Sequence, residues 1–131
     1  MKSVAIYNCI LTTGGRGHTR IVMNTLIEEA NQCIHSTERI YGTDVEYSNY
    51  QDVGEFTPDN LDRPGFQRML NDIKSHKIDI VVMVVLTKLS NKIDIILDFY
   101  KVCKEYGVDL IISTDGKKVM DVLDKALEKR N

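Results

Sequence analysis

Residues 61–91 read LDRPGFQRMLNDIKSHKIDIVVMVVLTKLSN, and this stretch decides the fold. Pro64 suits the first turn of a helix, where its missing N–H would lack an intrahelical partner anyway. Phe66, Met69, Leu70 and Ile73 follow at helical spacing. Lys74, His76 and Lys77 suit a solvated helix end near the negative pole of the helix dipole. The run IDIVVMVVL is about half the length of a membrane span and reads as a strand covered on both faces. A helix leading into a continuous apolar strand is the repeating unit of a parallel sheet.

The same alternation continues on both sides. Downstream, Ser90 is placed to cap a helix whose Ile93, Ile96, Leu97, Tyr100 and Cys103 form one apolar face. Gly107 ends it, VDLIIST is a last strand, and KKVMDVLDKALEKR is a short amphipathic helix. Upstream, VAIYNCIL (residues 4–11) is an apolar strand, and residues 21–32 form a helix with Ile21, Val22, Thr25, Leu26 and Glu29 at helical spacings. ERIYGTDVEYSNY holds a second strand, and QDVGEFTPDN, with Gly54 and Pro58, reads as a surface loop. The order predicts an α/β fold in three layers, with a mainly parallel sheet of four to five strands flanked by helices.

The 131 residues suit one domain spanning 1–131, and 43% apolar content is ordinary for a globular protein. The N-terminus shows no signal-peptide pattern. Cys9, Cys33 and Cys103 are far apart and form no CxxC pair, which favours free thiols in a reducing cytoplasm over a zinc site. His18, His35 and His76 lack metal-ligand spacing, so no metal and no cofactor are expected. A net charge of −2 argues against strong DNA binding by this chain alone. Gly14, Gly15 and Gly17 follow the first strand without the spacing of a phosphate-binding fingerprint, and a flexible site loop is the reading of residues 12–17.

Residues 61–91 closely resemble the middle of the serine recombinase (resolvase/invertase) catalytic domain. There an Asp-Arg-Pro-Gly turn opens a helix, and a Val-rich strand runs into Leu-Asp-Arg-Leu-Ser-Arg. YQDVGEF is similar to the Tyr-x-Asp-x-Gly that precedes it, and YGVDLIISTDG to the strand that follows. The resemblance implies a serine hydroxyl that attacks a DNA phosphodiester and is joined to the 5′ phosphate, releasing a 3′ hydroxyl. Arginines converge on the phosphate because their permanent charge and forked geometry suit it.

The site positions carry over unevenly. The family's first strand ends Tyr-x-Arg-Val-Ser-Thr, and here it reads Tyr7-Asn8-Cys9-Ile10-Leu11-Thr12. Leu11 stands at the nucleophile and Cys9 at its arginine companion. In the second motif, Thr87 stands for the aspartate, Lys88 for the first arginine and Asn91 for the last. Asp52 and Arg63 match. The implied reading is a pseudoenzyme linked to DNA recombination and a mobile element, with Arg63 and Lys88 as remaining phosphate contacts. Its neutral replacements are expected to pack the pocket better and make it less anion-hungry. The implied partners are DNA, held weakly or through another domain, and recombinase-like subunits, with no membrane. Two rivals stand beside this: an active recombinase domain using a shifted Thr12 or Thr13, and a small phosphate- or nucleotide-binding module. Successive strand residues point to opposite faces, which sets Thr12 against Leu11.

Overall fold

The apolar N-terminal run forms β1 (Lys2–Leu11), with six consecutive buried positions because both of its faces are covered. In the computed structural model, which describes residues 1–12, 19–55 and 60–130, the elements follow as α1 (Thr19–Tyr41), β2 (Val45–Gly54), α2 (Pro64–Lys74), β3 (Ile80–Met83), a 3-10 turn (Leu86–Lys88), α3 (Ile93–Glu105), β4 (Asp109–Ile112) and α4 (Lys118–Arg130). The strands are all parallel, in the order β2-β1-β3-β4. This is the expected α/β sheet, with four strands.

Alternation along β1 sorts the core into two layers. Ala5, Tyr7 and Cys9 pack with Phe66, Met69, Leu97, Tyr100 and Leu123 of α2, α3 and α4. Val4 and Ile6 pack with Cys33 and Ile34 of α1. No described helix is long and apolar enough to cross a membrane.

The strand after α2 is shorter than its apolar run, Ile80–Met83, and other boundaries also differ from the sequence reading, three of them with a clear local cause. α1 runs on to Tyr41 because Cys33, Ser36 and Thr37 keep burying against the sheet, which overrides the strand-like character of the residues that follow. Gly42 stops it at φ 82°, its N–H donating to the Glu38 carbonyl at 2.9 Å. β2 reaches Gly54, so the first residues of the expected surface loop are strand, paired with β1 in unbroken register from Lys2↔Val45 to Leu11↔Gly54. The N-cap of α3 is Lys92, two residues after the expected Ser90, whose Oγ accepts the Lys92 N–H at 3.0 Å. Gly107 does end α3, at φ 70°. Its N–H bonds the Lys104 carbonyl (3.2 Å) and the Val108 N–H bonds the Cys103 carbonyl (2.8 Å).

Four tyrosine hydroxyls tie elements together through carboxylates. Tyr7 donates to Asp52 (2.9 Å), Tyr41 to Asp109 (2.5 Å), Tyr50 to Asp72 (2.6 Å) and Tyr100 to Asp124 (2.7 Å).

Candidate functional site

From β1 the chain goes to β2 on one side, and β3 lies on the other. The carboxyl ends of β1 and β3 therefore flank the topological switch point, where open α/β sheets form their crevice. A cavity of about 290 Å3 lies there, lined by Cys9 and Leu11 from β1, Arg63 from the entry to α2, and Val85, Thr87, Lys88 and Asn91 from the segment after β3. Six of the seven sequence-predicted positions thus come together. The seventh, Asp52, does not line the cavity.

Asp52 has a different task. Its buried carboxylate accepts the Gly65 N–H (2.7 Å), the Phe66 N–H (2.9 Å) and the Tyr7 hydroxyl. Gly65 and Phe66 lie in the first turn of α2, so Asp52 caps that helix from a neighbouring strand. Burial keeps the Tyr7 phenol protonated, opposed by the nearby Arg63 guanidinium and reinforced by the acceptor Asp52. Gly65 is required by space: a Cβ there would sit 2.5 Å from the Gln51 carbonyl oxygen. The Tyr-x-Asp-x-Gly and Asp-Arg-Pro-Gly segments are therefore two halves of one joint.

Arg63 is 2% exposed. It does not pair with Asp62. Its Nε donates to the Asn60 carbonyl (2.9 Å), Nη1 to the Lys88 carbonyl (3.1 Å) and Nη2 to the Leu89 carbonyl. The rings of Tyr7 and Phe66 lie 5.9 Å from the guanidinium carbon. Arg63 thereby fixes the 3-10 turn that carries Thr87 and Lys88. Each Nη still has a second N–H beside the cavity.

Lys88 is held as well. Its ammonium donates to Glu29 Oε1 at 3.2 Å and to the Cys9 carbonyl at 3.4 Å, with Glu29 Oε2 in ion-pair contact at 3.1 Å. Sequence reasoning missed Glu29 as this counter-ion. The available signal was an acid lying in the apolar-spaced stripe of α1. Burial first, then the Glu29 carboxylate, pushes the neighbouring Cys33 thiol up to about 12, with Lys88 opposing. A thiol so placed is inert.

Leu11 is 48% exposed, and Thr87 and Asn91 are exposed too. The expected tighter packing is not made, and the cavity stays open. The nucleophile-bearing groups on its wall are the Cys9 thiol and the Thr87 hydroxyl, and among the described residues neither is hydrogen-bonded to a base. The Thr12 N–H donates to the Gly54 carbonyl at 2.9 Å, which extends the β1–β2 ladder past Leu11. Thr13, Gly14, Gly15, Arg16 and Gly17 lie outside the described residues. Among the described residues no cluster of three His, Cys, Asp or Glu is arranged to hold a metal.

Known proteins resemble this chain along nearly its whole length. The N-terminal catalytic domain of TP901-1 integrase superposes with a TM-score of 0.70 at 24% identity, covering 98% of this chain and 96% of that one. A resolvase family site-specific recombinase from Streptococcus pneumoniae gives 0.69 at 25% identity, covering 99% and 88%. A serine recombinase from Sulfolobus solfataricus gives 0.60 at 18% identity, covering 98% and 79%. No curated protein sequence matches the chain. The model of the resolvase N-terminal domain family matches residues 25–129. With that match running from α1 to the end of α4, the chain belongs to the resolvase family and is a homologue of the serine recombinase catalytic domain.

Proposed function

We propose that this chain is a catalytic-domain homologue of the serine recombinases that does not perform strand transfer, and acts as a non-catalytic module in DNA recombination. One observation carries the reading: the cavity at the switch point is lined by Cys9, Leu11, Thr87 and Asn91 where the family chemistry needs Arg, Ser, Asp and Arg. Leucine has no atom able to attack phosphorus. Lys88 keeps a charge but already has a carboxylate partner, and Arg63 already bonds three carbonyls. A phosphate in this cavity meets less positive charge than phosphoryl transfer requires.

Arg63 and Lys88 are the residues through which the cavity would touch DNA phosphate, and the contact is weak. DNA is engaged through recombinase-like subunits or another domain rather than by this single domain, without metal or cofactor. The three buried, free thiols fit a cytoplasmic setting. The shifted-nucleophile reading has less support, because the Thr12 main chain stays in the ladder and its side chain does not line the cavity. The nucleotide-binding reading rests on residues outside those described.

The test is covalent capture. With supercoiled or nicked DNA carrying candidate crossover sites, the protein should leave no denaturant-stable adduct. Leu11→Ser alone should leave none either, because losing single charge-stabilising groups in phosphoryl transfer costs on the order of 10³ in rate. An adduct mapping to Thr12 or Thr13 overturns the proposal.

A further inference from the structure

The two edges of the sheet are unlike. β4 has four residues, and Gly116 folds back to bridge Ile112 at its end. β2 has ten residues with no Lys and no Pro, and its register against β1 has no bulge. Edge strands are ordinarily blunted by such devices, because an open row of N–H and C=O groups recruits another strand.

The open row can be located by parity. In a parallel pair each residue directs both main-chain groups to the same side, alternating along the strand. The Gly54 carbonyl points to β1, where it accepts the Thr12 N–H. Even-numbered residues of β2 therefore bond β1, and Val45, Tyr47, Asn49, Gln51 and Val53 point outward. Gly65 closes against the Gln51 carbonyl. Val53 is thereby cut off beyond Gln51, which leaves Val45, Tyr47 and Asn49 as a continuous row whose outward groups bond nothing among the described residues.

What fills such a row must be an extended backbone. The outward main-chain groups of Val45, Tyr47 and Asn49 are evenly spaced about Tyr47, so a two-fold axis there pairs the row with itself. Tyr47 faces Tyr47 of the second copy and Val45 faces Asn49, each pair exchanging both hydrogen bonds. The one charged residue in the segment, Glu46, then faces Ser48, so no like charges meet. Beside this segment a cavity of about 190 Å3 between α1 and β2 is lined by Met23, Leu26, Ile27, Ala30, Asn49 and Gln51. Met23 is 53% and Ile27 56% exposed. The second copy brings its Val45 to the Asn49 end of that apolar hollow.

We propose that the β2 edge is a self-association surface: two copies of this chain pair antiparallel through Val45 to Asn49 about Tyr47, joining their sheets into one. The ladder is short, so association is weak and concentration-dependent.

Sedimentation equilibrium from about 10 to 500 μM should show a monomer–dimer equilibrium. Asn49→Pro removes only an outward N–H, which an edge strand tolerates, and should raise the dissociation constant roughly tenfold or more. Its circular dichroism and cooperative unfolding should match the parent, which separates lost pairing from lost folding. Register is read by cross-linking. Glu46→Cys mixed with Ser48→Cys should form a disulfide-linked dimer on mild oxidation, and neither variant alone should do so to the same extent. The native cysteines are all buried and give little background. A monomer at every concentration overturns the proposal and leaves the edge to an extended segment of a different protein. A dimer insensitive to Asn49→Pro, or one that cross-links equally in all combinations, assigns the contact to another surface and also overturns it.

Discussion

The joint formed by Asp52, Arg63 and Gly65 and the wall formed by Cys9, Leu11, Thr87 and Asn91 belong to the same end of the molecule, yet they are built on opposite terms. In the joint, polar groups meet main-chain partners from other elements: a carboxylate on two helix N–H groups, a guanidinium on three carbonyls, a glycine against a strand carbonyl. On the wall, three of the four side chains are exposed and face open space. The joint matches the family motifs and the wall does not. The difference teaches that the matching residues hold the fold whether or not chemistry occurs, whereas the exposed wall side chains Leu11, Thr87 and Asn91 contribute little to it.

That contrast can be broken by measurement. The largest effect is expected at Gly65→Ala. Its Cβ would need space occupied by the Gln51 carbonyl and the Asp52 carboxylate, and neither can move without loosening the α2 cap. We expect a loss of about 3 kcal/mol or more in urea unfolding. Asp52→Asn keeps the shape but replaces one acceptor oxygen with a donor facing a helix N–H. The expected loss is about 2–3 kcal/mol, typical of charge-assisted bonds to buried N–H groups. Leu11→Ser should cost less than about 1 kcal/mol in the same assay, since the side chain is already half exposed. A Leu11→Ser loss equal to that of Asp52→Asn would erase the distinction between joint and wall. The smallest effect is an expected null. Sulfate at about 50 mM should raise the melting temperature no more than sodium chloride of equal ionic strength, because Lys88 is paired with Glu29 and Arg63 bonds three carbonyls. Strong sulfate stabilisation would return the wall to service as an anion site.

Much of this was legible in the sequence, for local reasons. Phe66, Met69, Leu70 and Ile73 announced α2, and the apolar run after residue 78 announced β3, because burial writes its period directly into the chain. The ends of α1 and β2 were not legible, since the residues near Tyr41 carry strand-like propensity and only packing against the sheet keeps them helical. Cys9, Leu11, Arg63, Thr87, Lys88 and Asn91 could be picked out by motif alone, and they share one cavity. What motif reading could not supply is the partner of each charge. Asp52 serves the α2 cap rather than the cavity. Arg63 reaches carbonyls in the segment after β3, and Glu29 reaches Lys88 from a helix on the other side of the sheet. Such pairings join residues from 13 to 59 positions apart and have no local signature.

The four tyrosine–carboxylate bonds give the protein an optical character of its own. The chain has six tyrosines and no tryptophan, so its near-ultraviolet absorbance is largely a record of phenols. Burial, reinforced by the accepting carboxylate, lifts Tyr41, Tyr50 and Tyr100 above the ordinary value of 10.0, Tyr50 to about 12, and Tyr7 is lifted as well. A phenol raised in the folded state stabilises it fully below pH 10, and that contribution is lost as pH climbs towards the folded values. Phenolate absorbance should therefore lag behind that of free tyrosine on alkaline titration. It should then rise in step with the collapse of the fold, so that one spectrum reports ionisation and unfolding as a single event.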